Sequence, residues 1–313
     1  MAHHRLASTP DTVRFGMFDA AFDPVLTVES GDSVTFACVS GGPEVMPPPG
    51  SPYTVPPQLQ AIHDGDPPRI GPHILTGPVA IAGAEPGDML EVRIEAIAPN
   101  NDWGYCAVRP LAGTIPEDFP DRYVSHIAVD AARGVCKPDW GPELPLAPFF
   151  GTMGVAPPAQ YGCLSSREPR EHGGNMDNKE LVAGSILYLP VHVSGALLSL
   201  GDGHALQGDG EVSITALETS LRGSVQVIVR KAKQLRWPRA ETPTHYITMG
   251  LNPDLNEAAR IATREMIDFL VSEKGMSRDD AYIFTSLGVD LHVTQIVDDT
   301  KGVHAMLPKS VFR

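Results

Sequence analysis

The stretch LYLPVHVSGALLSLGDGHALQGDGEV, residues 187–212, decides how the rest is read. It begins as an apolar run broken by Pro190 and Gly195. It then collects Asp202, His204, Asp209 and Glu211 among Gly201, Gly203, Gly208 and Gly210. A merely solvated loop is not usually entered from so apolar a lead-in. In an extended chain, residues two apart point to the same side. Asp202 and His204 are therefore expected to face one ion, and Asp209 and Glu211 have the same spacing. Glycines here allow backbone angles closed to other residues and a close approach by a substrate.

Working outward, the strand signal dominates. Val25–Val28 and Ser33–Val39 flank the turn residues Ser30, Gly31 and Asp32. Pro78–Ala82 and Asp88–Ile97 are expected to pair across the turn at 84–87. Glu211–Leu217 alternates, and Ser224–Arg230 reads as a strand. A proline-rich loop spans Gly41–Pro57, with fixed φ angles that keep it out of a sheet interior and suit it to an active-site flap or a contact arm. Helices come late. Asn252-Pro253-Asp254 starts one whose apolar residues recur from Leu255 to Leu270, and Gly275 stops it. Ser277 caps a second that ends near Gly288. The expected class is α+β, mostly β: a sandwich- or barrel-like body over 12–240, then helices and closing strands over 252–313. The whole chain, 1–313, is expected to be one catalytic unit.

The totals narrow the function. A formal charge of −14 over 313 residues disfavours a phosphate-backbone partner, so nucleic acid is not expected. The N-terminal residues lack a basic start followed by an apolar stretch, and the longest apolar run, near 186–200, is too broken to span a bilayer. A cytoplasmic protein without membrane contact is expected. The four cysteines, Cys38, Cys106, Cys136 and Cys163, form no CxxC pair and read first as ordinary thiols.

Three groups carry candidate chemistry. Asp202-Gly203-His204 suits zinc or another divalent metal with an open position. A hydrolytic metal site also needs a carboxylate to move protons, and Glu211 is placed for that. An acidic turn between two strands would carry the same residues, so spacing leaves both readings open. In the second group, HGGNMDNKEL (172–181), Asp177 reads as a metal ligand and Asn175 as a donor to a substrate carbonyl; a capped loop leading into a short helix is the plainer reading. His73, just before a strand, is the third, although a lone histidine is more often structural. A covalent mechanism through Cys163, Cys136 or the serines at 165–166 lacks the glycine-rich context that an activated nucleophile needs.

Together these stretches resemble the acetamidase/formamidase family. The resemblance extends through HILTGP (73–78), GAEPGDMLEV (83–92), NDWGY (101–105), PEDFP (116–120), PFFGTMGVAP (148–157) and DLHVTQIVDDTKGVHAMLPKSVF (290–312). It runs from about residue 20 to the end and is loose after Asp121. It implies a β-rich hydrolase cleaving short amides to carboxylate and ammonia, with a γ-lactam as the alternative substrate. A non-catalytic metal- or ligand-binding relative is the further alternative. It also implies a divalent metal, zinc first, with Asp177, Asp202 and His204 as ligands and Glu211, Asn175 and His73 as catalytic residues. A homo-oligomer, a dimer first, is expected.

Overall fold

Strand Leu198–Leu206 is buried along nearly its whole length, which marks it as a strand covered on both faces. In the computed structural model, which describes residues 1–312, it is the axis of an eleven-stranded sheet. The members that position the site are β1 (Ile74–Ile81), β2 (Trp103–Val108), β3 (Phe149–Gly154), β4 (Gly173–Asn175), β5 (Leu198–Leu206) and β6 (Leu217–Glu218). One edge of β5 lies antiparallel to β3, with Phe149 opposite His204. The other edge is shared: β1 takes Leu198–Gly201 and β6 takes His204–Leu206.

A second sheet of nine strands includes Leu221–Arg230, which pairs antiparallel with Ser33–Cys38 and with Met89–Pro99. Its far end is the hairpin β7 (Asp290–Gln295) and β8 (Lys301–Pro308). The two sheets face each other. Phe36, Leu90 and Val92 of one pack in a single cluster with Val79, Phe150 and Leu200 of the other. Each such fully buried side chain stabilises the fold by about 1.5–3 kcal/mol relative to exposure. Among the described residues neither sheet closes on itself, so the body is a sandwich rather than a barrel.

The late helices form as their caps dictate. Asp254 accepts hydrogen bonds from the amides of Asn256 and Glu257 at the start of Leu255–Lys274, and Gly275 ends that helix with φ 68°. Ser277 caps Arg278–Gly288. The longer helix packs against the strands at 245–252 and 301–308, and the shorter one packs on the longer, in a core of their own. No helix among the described residues is long and apolar enough to cross a membrane.

Four expectations need correction. Pro78–Ala82 and Asp88–Ile97 do not pair: Ile74–Ile81 and Met89–Pro99 lie in different sheets, and the turn between them carries the chain across the sandwich. Glu211–Leu217 is not a strand: the chain turns just after Glu211, with Glu211 and Ile214 at left-handed angles, and only Leu217–Glu218 pairs. No helix follows HGGNMD, where Gly173, Gly174 and Asp177 all take positive φ and bend the chain instead. Helices are also not confined to the end of the chain. Pro57 opens a short one, Pro57–Asp64, that buries Leu59 and Ile62.

Candidate active site

Three carboxylates meet beside β5, and each sits on unusual backbone. Asp177, Asp202 and Glu211 have φ of 50°, 57° and 47°. A left-handed angle at a non-glycine residue costs on the order of 1–3 kcal/mol and persists only where the surroundings enforce it. Here they do: β3 holds the loop after β4 through the Asp177 amide, which donates to the Gly151 carbonyl at 3.0 Å. Gly151 is itself required. A Cβ there would lie 2.5 Å from Asp177 Oδ1 and 2.6 Å from Asp202 Oδ2. The strand therefore leaves open the space on which the two carboxylates converge.

His204 is the hub. Its Nε2 lies 3.3 Å from Asp202 Oδ2, 3.2 Å from Glu218 Oε1 and 3.8 Å from Asp177 Oδ1. Its Nδ1 hydrogen is donated to Gln207 Oε1 at 2.9 Å, and Gln207 Nε2 donates in turn to the Asp177 carbonyl at 2.8 Å. That chain fixes the ring and turns Nε2 toward the carboxylates, the orientation a metal-binding histidine needs. Phe149 packs edge-on against the ring, 4.9 Å between centroids.

Around the hub stand His73, Asn175 and Asp298. His73 Nε2 is 3.8 Å from Asp202 Oδ2, and its Nδ1 is 2.9 Å from the Ser166 hydroxyl. The amide of Asn175 is committed: Thr152 donates to its Oδ1 at 2.6 Å, and its Nδ2 donates to Asp298 Oδ2 at 2.9 Å. His73, Asn175, Asp177, Asp202, Glu211 and Asp298 all line one cavity of about 750 Å³. None of the four cysteines lines it.

The electrostatics of this cluster call for positive charge. Burial pushes the carboxyls of Asp177 and Glu211 well above their ordinary range, and burial with the neighbouring Asp202 charge pushes Asp298 up to about 7. Burial also opposes ionisation of Asp202, but His73 and His204 outweigh it and keep that carboxylate ionised. For His204, burial acts against the charge, yet the carboxylates of Glu218 and Asp202 raise it well above the usual imidazole range. One imidazolium cannot balance so many buried acids. Both oxygens of Asp177, Nε2 of His204 and Oε2 of Glu218 are buried without a hydrogen-bond partner. Such atoms are costly unless something binds them. Asp177, His204 and Glu211, and likewise Asp202, His204 and Glu218, bring ligand atoms within 4.8 Å of one another. The donor set, carboxylate oxygens with one imidazole nitrogen, fits a divalent ion.

All six residues singled out by sequence thus meet at one place. Asp209 does not join Glu211 there. Gly210 has φ 93°, the period-two pattern breaks, and Asp209 points instead to His292, 3.0 Å from its Nδ1. Sequence reading missed Glu218, Gln207 and Asp298. Asp298 lies in the terminal motif already quoted, whereas Glu218 carries no local signal at all.

A β-sandwich protein with a buried carboxylate–histidine centre beneath a cavity is the class these features define. The comparisons narrow it. The family model described as "Acetamidase/Formamidase family" matches residues 69–162 and 162–313, and the chain belongs to this family. It is 29% identical to a formamidase of Methylophilus methylotrophus over 314 residues, covering 77% of each chain. It is 29% identical to an acetamidase of Mycolicibacterium smegmatis over 199 residues, covering 45% of this chain and 49% of that one. In that match the chain spans about half the length of the relative. The crystal structure of an acetamidase from Bacillus halodurans superposes with a TM-score of 0.85 at 31% identity, covering 98% of both chains. A γ-lactamase from Delftia acidovorans, at 22% identity and a TM-score of 0.66, shares the fold.

Proposed function

We propose that this protein is an amidase that hydrolyses the C–N bond of short amides to a carboxylate and ammonia, with a divalent ion, zinc by donor type, held by Asp177, Asp202 and His204. The observation that carries the metal reading is the pair of unpartnered Asp177 oxygens beside the bare Nε2 of His204, under a cavity open to a small molecule. Family membership carries the amide. When bound, such an ion polarises a carbonyl and makes water acidic enough to attack near neutral pH.

The chain's own residues do the rest. Glu211, on the cavity wall, takes a proton from the attacking water at its carboxylate and returns it to the departing nitrogen, so that the C–O bond forms as the C–N bond breaks. Burial holds the His73 pKa below its usual value. With Ser166 fixing its Nδ1, that ring borders the carbonyl side of the cavity as a hydrogen-bonding group. Asn175, whose two amide hydrogens go to Asp298 Oδ2 and to the Arg167 carbonyl at 3.4 Å, positions that carboxyl rather than donating to substrate. The Thr152 hydroxyl bridges Asn175 and Asp202, its one hydrogen shared between Asn175 Oδ1 at 2.6 Å and Asp202 Oδ2 at 3.2 Å.

The test is ammonia release from formamide, acetamide, propionamide and benzamide, before and after chelation and with zinc added back. Release that disappears with chelator and returns with zinc supports the reading; chelator-resistant release refutes the metal. We further propose that the chain acts as a homodimer. Supporting this, Tyr282, Ile283 and Leu287 of one helix are exposed together, and Leu287 is 81% exposed. Sedimentation of a monomer at working concentration would exclude it.

A further inference from the structure

Outside the cavity lies a second histidine–carboxylate cluster. His292 and His304 face each other across the β7–β8 ladder, with rings stacked at 5.1 Å and 11°. Asp209 Oδ2 is 3.0 Å from His292 Nδ1. The ligand atoms of Asp209, His292 and His304 lie within 4.8 Å of one another. None of the three lines the cavity.

An exposed aspartate hydrogen-bonded to a histidine is ordinary and needs no ligand. What that plain reading does not explain is His304. It is fully buried, its Nδ1 is engaged by the Thr294 hydroxyl at 2.7 Å, and its Nε2 has no partner. A buried ring nitrogen with nothing to bind is costly. A ring held at one nitrogen by a hydroxyl and free at the other is the arrangement of a metal-binding imidazole. Ligand atoms around one tetrahedral zinc sit about 2 Å from the ion, hence roughly 3.3 Å apart, so small side-chain rotations close this cluster on an ion. The adjacent cation does not block it. Lys179 Nζ lies 3.7 Å from the other oxygen, Asp209 Oδ1, and is already paired with Glu180 at 2.9 Å.

We propose that Asp209, His292 and His304 form a second divalent transition-metal site, separate from the cavity. Its placement gives it a role. Asp209 stands two residues before Glu211, and the loop between them is already stitched to the hairpin: the Gly210 amide donates to the Thr294 carbonyl, and the Ile296 amide donates to the Gly210 carbonyl, both at 3.1 Å. An ion here fastens the loop carrying Glu211 to the same β7–β8 hairpin that carries Asp298.

The test is zinc content per chain, by elemental analysis after equilibration with Zn²⁺ and gel filtration. His292→Gln and Asp209→Asn, both at partly exposed positions, are expected to bind one equivalent fewer than wild type while keeping the native circular dichroism spectrum. Asp202→Asn with His204→Gln is expected to keep that equivalent, and adding His292→Gln to remove it. Equal zinc in wild type, H292Q and D209N overturns the proposal. Because the readout is bound metal, failure of the amidase reading leaves this difference unchanged. A wild-type content of one that falls to zero in H292Q would support this site while removing the metal from the cavity.

Discussion

Glu218 stands directly opposite His204 in the β5–β6 ladder, its carboxylate 3.2 Å from Nε2. The Ala216 amide donates to the same oxygen at 3.2 Å and keeps it in place. Glu218→Gln retains the shape and removes the charge. Partners of this kind typically alter metal affinity or activity about 10–100-fold. Zinc affinity of E218Q, measured by competition with a chelating dye, is expected to fall within that range in a folded chain.

Glu211→Gln separates proton transfer from metal binding. Loss of a proton-transfer group lowers turnover about 10²–10⁴-fold. The expected result is that loss in kcat with zinc content unchanged. If zinc leaves together with activity, Glu211 is a ligand; near-wild-type turnover removes it from the chemistry altogether.

Gly151→Ala tests the open space beneath the carboxylates. The added methyl would sit within 2.6 Å of both Asp177 and Asp202. Displacing such groups by even about 1 Å can cost on the order of 10²-fold in rate. G151A is expected to lose at least that much activity, and its zinc content should fall in parallel. Full activity in this variant would mean that the two carboxylates do not meet over Gly151.

Cys163→Ala addresses the covalent rival. The thiol is exposed and its pKa is raised by burial of part of the group and by the nearby Asp19 carboxylate, the opposite of an activated thiolate. Ammonia release by C163A is expected to match wild type, and a loss of even tenfold would reopen that route.

His172 makes stability depend on pH. Its ring is buried against Phe18, both nitrogens lack partners, and burial, aided by His192 and Arg170, holds its pKa down at about 3. In the unfolded chain the value is about 6.5. Below that pH the unfolded state takes up a proton that the native state refuses, so this contribution to stability is full above about pH 6.5 and is lost as pH falls toward 3. Between about pH 7.5 and about pH 5.5 the loss is roughly 1 kcal/mol. Urea titrations at the two pH values should show His172→Gln losing less than wild type by about that amount.

The sequence by itself determined what is local. Two-residue periodicity placed Asp202 and His204 on one side of a strand, because alternation is a property of any extended backbone. Asp254, Gly275 and Ser277 marked helix ends, because caps act within one turn. Only the tertiary structure decided which strands are partners, since nothing in β1 or in Met89–Pro99 names the sheet it joins. It also decided that Asp209 and Glu211 part company, through the backbone turn at Gly210. It brought Glu218 beside His204 by pairing β6 with β5, and Asp298 beside Asn175 by folding the end of the β7–β8 hairpin over it. Those positions are set by long-range pairing and burial, and no window of the chain contains them.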